Sequence, residues 1–330
     1  MKTMNKKQIF TTLFCVAVLM SAVYVYLSKR DQIDEAISYL QDANLSILLL
    51  LIPAVFLMWR SAGRIWYPYL KDDGLGVGLL SSIQYEINFV DTVLPFFNAT
   101  GVAYALVRLK KLKVSEGRAS GMILFRYIIS VSTKWVEIAV AMAVLIAIGQ
   151  TGEMPAWVMR ATIAVVIAVF ILALTIYKKK IRVPRKLMHH RKLHKPAGAI
   201  QEQLGKFFKT LDIAFSRKDA LLESFIWGLA YSLLEVLPFW VVATSMGHPE
   251  LLLQIIVASG VAIVVGIVIP TPMGIGGFDG AMIFCLNIMG SSVALASAIV
   301  VTTRILILGS SALTGIPFWM NGMRCIEGKD

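Results

Sequence analysis

The chain is dominated by long apolar segments that recur from Gln8 to Asn321 with a single long polar interruption. Their Leu, Ile, Val and Ala residues do not alternate with polar ones, which argues against the strands of a membrane β-barrel. A spanning helix needs about 20 mostly apolar residues and satisfies its own backbone hydrogen bonds. The pattern predicts ten helical membrane elements, at residues 8–27, 44–63, 75–94, 96–108, 119–149, 156–177, 221–246, 251–269, 276–290 and 292–318.

Two of these elements, 96–108 and 276–290, are short. The expected fold is therefore all-α: a polytopic membrane helix bundle of about eight full spans plus two short broken or re-entrant helices, in one integral membrane domain over residues 1–330. The basic start and apolar run of residues 1–26 are also compatible with a signal peptide. Because the run reaches Leu27 without a convincing small-x-small cleavage site, we predict a retained first span.

The composition agrees with this prediction, because 57% of the residues are hydrophobic and only 16% are charged. A net charge of +12 could indicate nucleic acid, but membrane proteins carry a basic excess on their cytoplasmic loops, so we expect no nucleic-acid partner. Cys15, Cys285 and Cys325 are far apart and predict neither a disulfide framework nor a CxxC metal site.

The charges of the connections predict the orientation. Basic residues follow the N-terminus and the second and fourth elements, and they fill residues 178–219, which we interpret as a basic cytoplasmic loop. The connections at 28–43, 150–155 and 247–250 have few basic residues and should lie outside. Ten crossings then place both termini in the cytoplasm, in a multi-pass protein of the cell (inner or cytoplasmic) membrane.

The basic loop contains His189, His190 and His194 without acidic or cysteine partners, so we interpret it as a solvated surface that also contacts anionic lipid headgroups, rather than a metal site. We expect neither a metal nor a cofactor.

A similar motif precedes each short element. Pro95 is followed by Gly101, and Pro270 by Pro272, Gly274, Gly276 and Gly277. An arginine lies deep in the next long helix in both cases, Arg126 and Arg304. The two regions are five elements apart, and an odd displacement reverses direction across the membrane, so the pattern predicts a 5+5 inverted repeat of the kind found in transporters. The alternative is a chance match, because Pro and Gly are common in spanning helices.

The stretch from Ile269 to Asp279 resembles the P-x-P-G-G-x-G-x-x-E/D signature of the flippase-like membrane family that includes the transmembrane region of lysylphosphatidylglycerol synthase. The stretch from Leu94 to Arg108 is similar to the L-P-x-x-x-G-[DE]-x-x-R segment of that family, and Arg126 and Arg304 match its intramembrane arginines. The chain departs from the family pattern at residues 96–98, 102–103 and 125. The lysyl-transfer activity of that family belongs to a separate soluble domain, for which we expect no room after the last span.

Charged side chains at bilayer depth cost at least ~2.5–3.5 kcal/mol each and should face a polar interior. We expect Arg126 and Arg304 to bind an anionic headgroup phosphate, because a guanidinium offers a planar fork of donors. The alternative is a set of buried ion pairs that fix helix register. The acids expected to pair with the two arginines are Glu86, Asp91, Glu235 and Asp279.

Other charged residues have two interpretations. Lys134 and Glu137 are spaced to satisfy each other on one helix face. Asp279 either contributes to the site or caps the helix that follows the glycines, whose N-terminal amides would favour an anion. Arg108 is either a headgroup ligand, as the resemblance implies, or the start of a cytoplasmic basic run.

These residues favour a lipid flippase or translocator that binds an anionic or lipid-linked headgroup in a mid-membrane cavity. Because the chain has no GxxxxGK[ST] motif, coupling would use an ion gradient or another protein, with the four acids as proton carriers. One alternative is an intramembrane enzyme acting on a lipid-linked substrate, which lacks support from an HExxH or GxSxG motif. The other is a non-transporting subunit of a lipid-modifying enzyme. The expected partners are a phospholipid or lipid-linked substrate, the membrane, and a partner enzyme or a second copy of the chain.

Overall fold

The structure is a computed structural model that describes residues 30–93, 99–149, 164, 194–268 and 276–327. Within these ranges all regular secondary structure is helical, as predicted. The predicted elements at 8–27 and 156–177 lie outside the described residues, apart from residue 164.

Most predicted helices begin and end within about three residues of the predicted bounds. The described helices are α1 (Arg30–Gln41), the single-turn α2 (Leu45–Leu48), α3 (Leu51–Leu70), α4 (Val77–Val93), α5 (Ala99–Lys111), α6 (Glu116–Ala147), α7 (His194–Ser216), α8 (Lys218–Ser245), α9 (Leu252–Val268), α10 (Gly277–Ile288) and α11 (Val293–Glu327). Two 3-10 turns, Lys71–Asp73 and Pro249–Leu251, follow α3 and precede α9. In contrast to the other predicted helices, α3 begins and ends about seven residues later than predicted, and α11 ends about nine residues later.

Five helical segments of the described chain are long and apolar enough to cross a membrane: Leu45–Asp73, Glu116–Ala147, Lys218–Ser245, Pro249–Gly266 and Val293–Arg324. Large apolar side chains on these helices are exposed, for example Leu313 at 77% and Ile305 at 64%. Large apolar side chains exposed on long apolar helices are typical of a surface that contacts lipid. The chain is a multi-pass membrane protein, while the predicted total of ten elements stays a prediction.

Two predicted connections contain helices instead. Residues 28–43 were expected to form an external loop, but α1 occupies most of this range and packs against α11. The described part of the basic 178–219 segment is the helix α7, which packs along α6. Phe208 and Leu211 of α7 are buried while Lys206 and Lys209 are exposed, so an amphipathic helix forms where charge alone suggested a solvated loop.

Ion pairs bring the basic connections to one end of the bundle. Arg118, at the start of α6, binds Asp73 with 2.8 Å between Nη1 and Oδ1. Arg217, just before α8, binds Asp72 with 3.1 Å between Nη1 and Oδ2. The turn after α3 and the starts of α6 and α8 therefore lie together. That this end faces the cytoplasm stays a prediction.

The opposite end joins connections that have few basic residues. The Asn44 amide donates to the Ser245 carbonyl at 2.8 Å, which ties the chain before α2 to the end of α8. The Ser292 hydroxyl lies 3.4 Å from the Glu35 carboxylate, so α11 begins near α1. Consequently α6 and α11 enter the bundle from opposite ends.

Helices from the first half of the chain pack against helices from the second half. The antiparallel pair α3 and α8 forms the centre, α4 packs against α11, and α6 packs against α9 as well as α8. One apolar cluster joins α3, α4, α5 and α6 to α7 and the start of α8, and a second joins the end of α8 to α9, α10 and the start of α11. Polar side chains buried between these clusters form the site described next.

Candidate functional site

Arg126 lies on α6 and is only 8% exposed. Among the described residues its Nε has no hydrogen-bond partner, and no carboxylate lies within ion-pair distance of its guanidinium. Its Cζ is 5.6 Å from the ring centroid of Tyr231 on α8 and 5.7 Å from that of Tyr127. The faces of aromatic rings stabilise a cation, but they do not replace a hydrogen-bond acceptor in the plane of the guanidinium. The buried Nε of Arg126 is therefore a donor without a described acceptor.

Two further buried donors lie near Arg126 or its aromatic neighbour Tyr231. Ser130 stands one helical turn after Arg126, on the same face of α6, and its Oγ has no partner within the described chain. The Trp59 ring on α3 packs 6.2 Å from the Tyr231 ring, and its buried Nε1 is likewise without a described acceptor. Unpaired buried donors are costly, so this concentration favours an acceptor-rich ligand such as a phosphate.

A charged network joins α6 to α8 about two to three helical turns beyond Arg126. Lys134 Nζ lies 3.0 Å from Glu137 Oε2 and 3.3 Å from Glu235 Oε2, and it donates to the Ser232 carbonyl at 3.1 Å. The Ser232 hydroxyl donates to Glu137. The Tyr231 hydroxyl donates to Glu235 Oε1 at 3.4 Å, which connects this network to the residue beneath Arg126.

A second buried pair lies between α4 and α5. Arg108 Nε donates to Glu86 Oε2 at 3.1 Å, and the Tyr104 hydroxyl donates to the same oxygen at 2.8 Å. The two charged side chains are 6% and 1% exposed. Gly322 of α11 brings its backbone against this carboxylate, because a Cβ there would overlap Glu86 and Tyr104. The cluster therefore fixes α11 against α4 and α5.

Asp91 near the end of α4 holds the start of α5. Its Oδ1 accepts the Gly101 amide at 2.7 Å. A Cβ at Gly101 would overlap the Asp91 carboxylate, so only glycine permits this approach. Arg126 is within electrostatic range of Asp91 but makes no ion pair with it in the described structure.

Arg304 on α11 is paired, in contrast to Arg126. Its Nε donates to Asp279 Oδ1 at 2.7 Å, and its Cζ lies 4.6 Å from the Phe278 ring centroid. The side chains of Arg304 and Asp279 are 27% and 17% exposed. Gly276, at φ 92°, occupies the left-handed region and is the N-cap of α10, where it has no side chain to cap the helix. Asp279 thus binds the arginine instead of capping α10.

The model of one protein family, described as the lysylphosphatidylglycerol synthase TM region, matches residues 14–315. The chain belongs to this family. Comparisons with curated proteins and with solved structures found no match. Membership in the lysylphosphatidylglycerol synthase TM region family agrees with the motifs in the sequence and indicates a membrane role related to lipid.

The structure resolves the pairing of the charged residues of this family member. Arg304 pairs with Asp279, one of the four acids expected. The expectation that Arg126 also pairs with one of them is wrong among the described residues, because Glu86 binds Arg108 and Glu235 binds Lys134. Arg108 is buried, so it is not part of a solvated basic run.

Several predicted site residues lie in separate clusters, and others lie outside the residues that the structure describes. Glu86 and Arg108 form a cluster separate from the Arg126 surroundings, and Asp279 with Arg304 forms another. Gly101 and Gly277 lie at or near the starts of α5 and α10. Pro95, Pro270, Pro272 and Gly274 lie outside the described residues. Within the described chain, no group of three or more His, Cys, Asp or Glu side chains is placed to hold a metal ion.

The sequence interpretation missed Tyr231, Ser232 and Trp59. Tyr231 precedes Glu235 by four residues, a spacing that places both on one face of a helix, so this link was available from the sequence. A second overlooked signal is a shared spacing: Asp279 precedes Arg304 by 25 residues, and Gly101 precedes Arg126 by the same interval. The position that Asp279 occupies relative to Arg304 is thus occupied by Gly101 relative to Arg126.

Proposed function

We propose that this protein is a lipid flippase or translocator in which Arg126 binds the phosphate of an anionic or lipid-linked headgroup. The observation that carries the proposal is the buried Arg126 Nε, which lacks an acceptor among the described residues. A phosphate oxygen is a strong acceptor and carries the charge that balances a guanidinium. Ser130, one helical turn from Arg126, and Trp59, whose ring packs on Tyr231, are further buried donors without a described acceptor.

The arrangement of the helices supports movement of the headgroup rather than static binding. Arg126 and Arg304 lie on helices that enter from opposite ends, and α4, α5 and α6, with 17, 13 and 32 residues, correspond in order to α9, α10 and α11, with 17, 12 and 35. We interpret these two sets as inverted repeats that move against each other to expose a mid-membrane site to each side in turn.

The decisive experiment measures translocation of fluorescent phosphatidylglycerol and phosphatidylcholine in proteoliposomes, by reduction of the outer-leaflet label. Arg126→Ala removes charge-assisted hydrogen bonds of ~1.5–3 kcal/mol, so anionic lipid movement should fall roughly 10- to 100-fold. Arg126→Lys, which keeps the charge but loses the planar fork, should fall between Arg126→Ala and the wild type.

The matched control is Arg118→Ala, which removes an arginine from the same helix at the basic end of the bundle. It should retain translocation, since Arg118 binds Asp73 and the Tyr69 carbonyl rather than the proposed site. If the wild type moves no lipid of a panel that includes lipid-linked sugars, the translocator proposal fails. Chemical conversion of a lipid in the same vesicles would instead support an intramembrane enzyme.

A further inference from the structure

Tyr231 connects the unpaired arginine to the buried charged network. One face of its ring lies 5.6 Å from Arg126 Cζ, and its hydroxyl donates to Glu235 at 3.4 Å. Glu235 in turn lies 3.3 Å from Lys134. The proposed headgroup site and the network are therefore separated by a single side chain.

The four charged residues around Tyr231 balance each other. Arg126 and Lys134 contribute two positive charges, and Glu137 and Glu235 contribute two negative ones. Lys134 and Glu137 are almost fully buried, with 5% and 3% of their side chains exposed, whereas Glu235 keeps 38% exposed. Glu235 is thus the more accessible carboxylate of this group.

One further acid lies near this group: Asp91 of α4 is within electrostatic range of Arg126, but its carboxylate accepts the Gly101 amide and makes no described ion pair with the arginine. Two helices packed against α8 carry other charged residues. On α3 these are Arg64, whose Cζ lies 4.2 Å from the Trp227 ring, and the exposed Arg60. On α11 they include Arg304, which binds Asp279, and the exposed Arg324. α2 and α9 have no charged side chain, and the turn before α9 contributes Glu250, which binds His248. On α7, Lys206 binds Glu202, and at the start of α6 Arg118 binds Asp73 and Glu116 binds Lys110.

Building on the proposed function, we propose that binding of an anionic headgroup at Arg126 is coupled to uptake of one proton by Glu235. A phosphodiester adds one negative charge to a group that holds no surplus positive charge, within membrane-spanning helices where uncompensated charge is expensive. A proton from water forms an O–H bond on the Glu235 carboxylate and cancels the added charge. Lys134 stays paired with Glu137.

This coupling is reciprocal. If the headgroup promotes protonation of Glu235, then protonation of Glu235 strengthens headgroup binding by the same factor. Binding is therefore tighter at low pH. One proton taken up per headgroup also gives translocation access to a proton gradient.

The test measures the dissociation constant of short-chain phosphatidylglycerol for the full chain in phosphatidylcholine nanodiscs, between about pH 5.5 and 8.5, where the charge of a phosphodiester does not change. Proton uptake is measured in parallel by calorimetry in buffers of different ionisation enthalpy. We expect the wild-type dissociation constant to rise up to ~10-fold per pH unit, with about one proton taken up. The soluble headgroup glycerophosphoglycerol distinguishes binding of the headgroup from partition of the acyl chains.

Glu235→Gln should bind with an affinity that no longer depends on pH and should take up no proton. Glu223→Gln, on the same helix about 18 Å away, is the matched control and should keep the wild-type pH dependence. Wild-type binding without proton uptake, or an unchanged pH dependence in Glu235→Gln, would overturn the coupling while leaving the proposed headgroup site intact. Absence of phosphatidylglycerol binding at every pH would overturn both, and the wild-type measurement decides the question even if Glu235→Gln does not fold.

Discussion

Arg126 and Arg304 lie at similar distances from the starts of their helices but have different partners. Arg126 lies ten residues after the start of α6 and Arg304 eleven residues after the start of α11, about 15 Å along each helix axis from opposite ends. The residue 25 positions earlier is Asp279 in one case and Gly101 in the other. The acid Asp279 pairs with Arg304 within the protein, whereas Gly101 offers no carboxylate, and Arg126 has no described ion pair. Under the proposed function, the α9–α11 region stabilises the bundle and the α4–α6 region binds the headgroup.

The largest effect is expected from removing the carboxylate that pairs with Arg304. Asp279→Ala leaves Arg304 without its partner and should lower the free energy of unfolding by about 2–3 kcal/mol, below the cost for a fully buried pair because both side chains are partly exposed. Unfolding in bicelles with increasing denaturant measures this loss. The double variant Asp279→Ala/Arg304→Ala should recover much of it, and equal losses in the single and double variants would contradict an ion pair as the cause.

The close contact between Gly101 and Asp91 can be tested by adding one methyl group at Gly101. Gly101→Ala would force a Cβ into the Asp91 carboxylate and within 2.8 Å of Ile87 Cγ2, so we expect a loss of about 1–2 kcal/mol in the same assay. Gly280→Ala, in α10, is the matched control because its Cβ would meet no atom within 4 Å. The control should be neutral or slightly stabilising, and a tolerated Gly101→Ala would show that α4 and α5 do not pack this closely.

The smallest expected effect concerns the aromatic neighbour of the paired arginine. Phe278→Leu removes the ring that lies 4.6 Å from Arg304 Cζ but keeps an apolar side chain. A cation–π contact at a partly exposed site is worth ~0.5–1 kcal/mol, so the loss of stability should be of that size. If Phe278→Leu instead destabilises as strongly as Asp279→Ala, the ring rather than the acid is the principal partner of Arg304.

The sequence predicted the described long helices well, because uninterrupted apolar runs in a membrane protein leave few alternatives to a helix. It missed α7, whose apolar residues Phe207, Phe208, Leu211 and Phe215 recur at helical spacing among many lysines. It also missed α1, whose mixed polar sequence resembles a loop in charge alone.

The sequence predicted a specific pair of charged residues only where both lie on one helix, as for Lys134 and Glu137. Contacts between distant helices were beyond it. Ser232 reaches Glu137 across 95 positions, and the alternatives for Arg126 and Arg304 differ only in how the helices are rotated against each other. Rotation depends on packing at small residues, such as Gly322 against Glu86, which periodicity does not reveal.

The packing between helices from the two halves of the chain has a consequence for synthesis on the ribosome. Lys134 and the Ser232 carbonyl that it binds are 98 positions apart, which corresponds to roughly 5–20 seconds of translation. During that interval α6 is made but α8 is not, and a lone ammonium would oppose transfer of the nascent helix from the translocon into lipid. Glu137, already present three residues after Lys134, provides the counter-ion until α8 arrives.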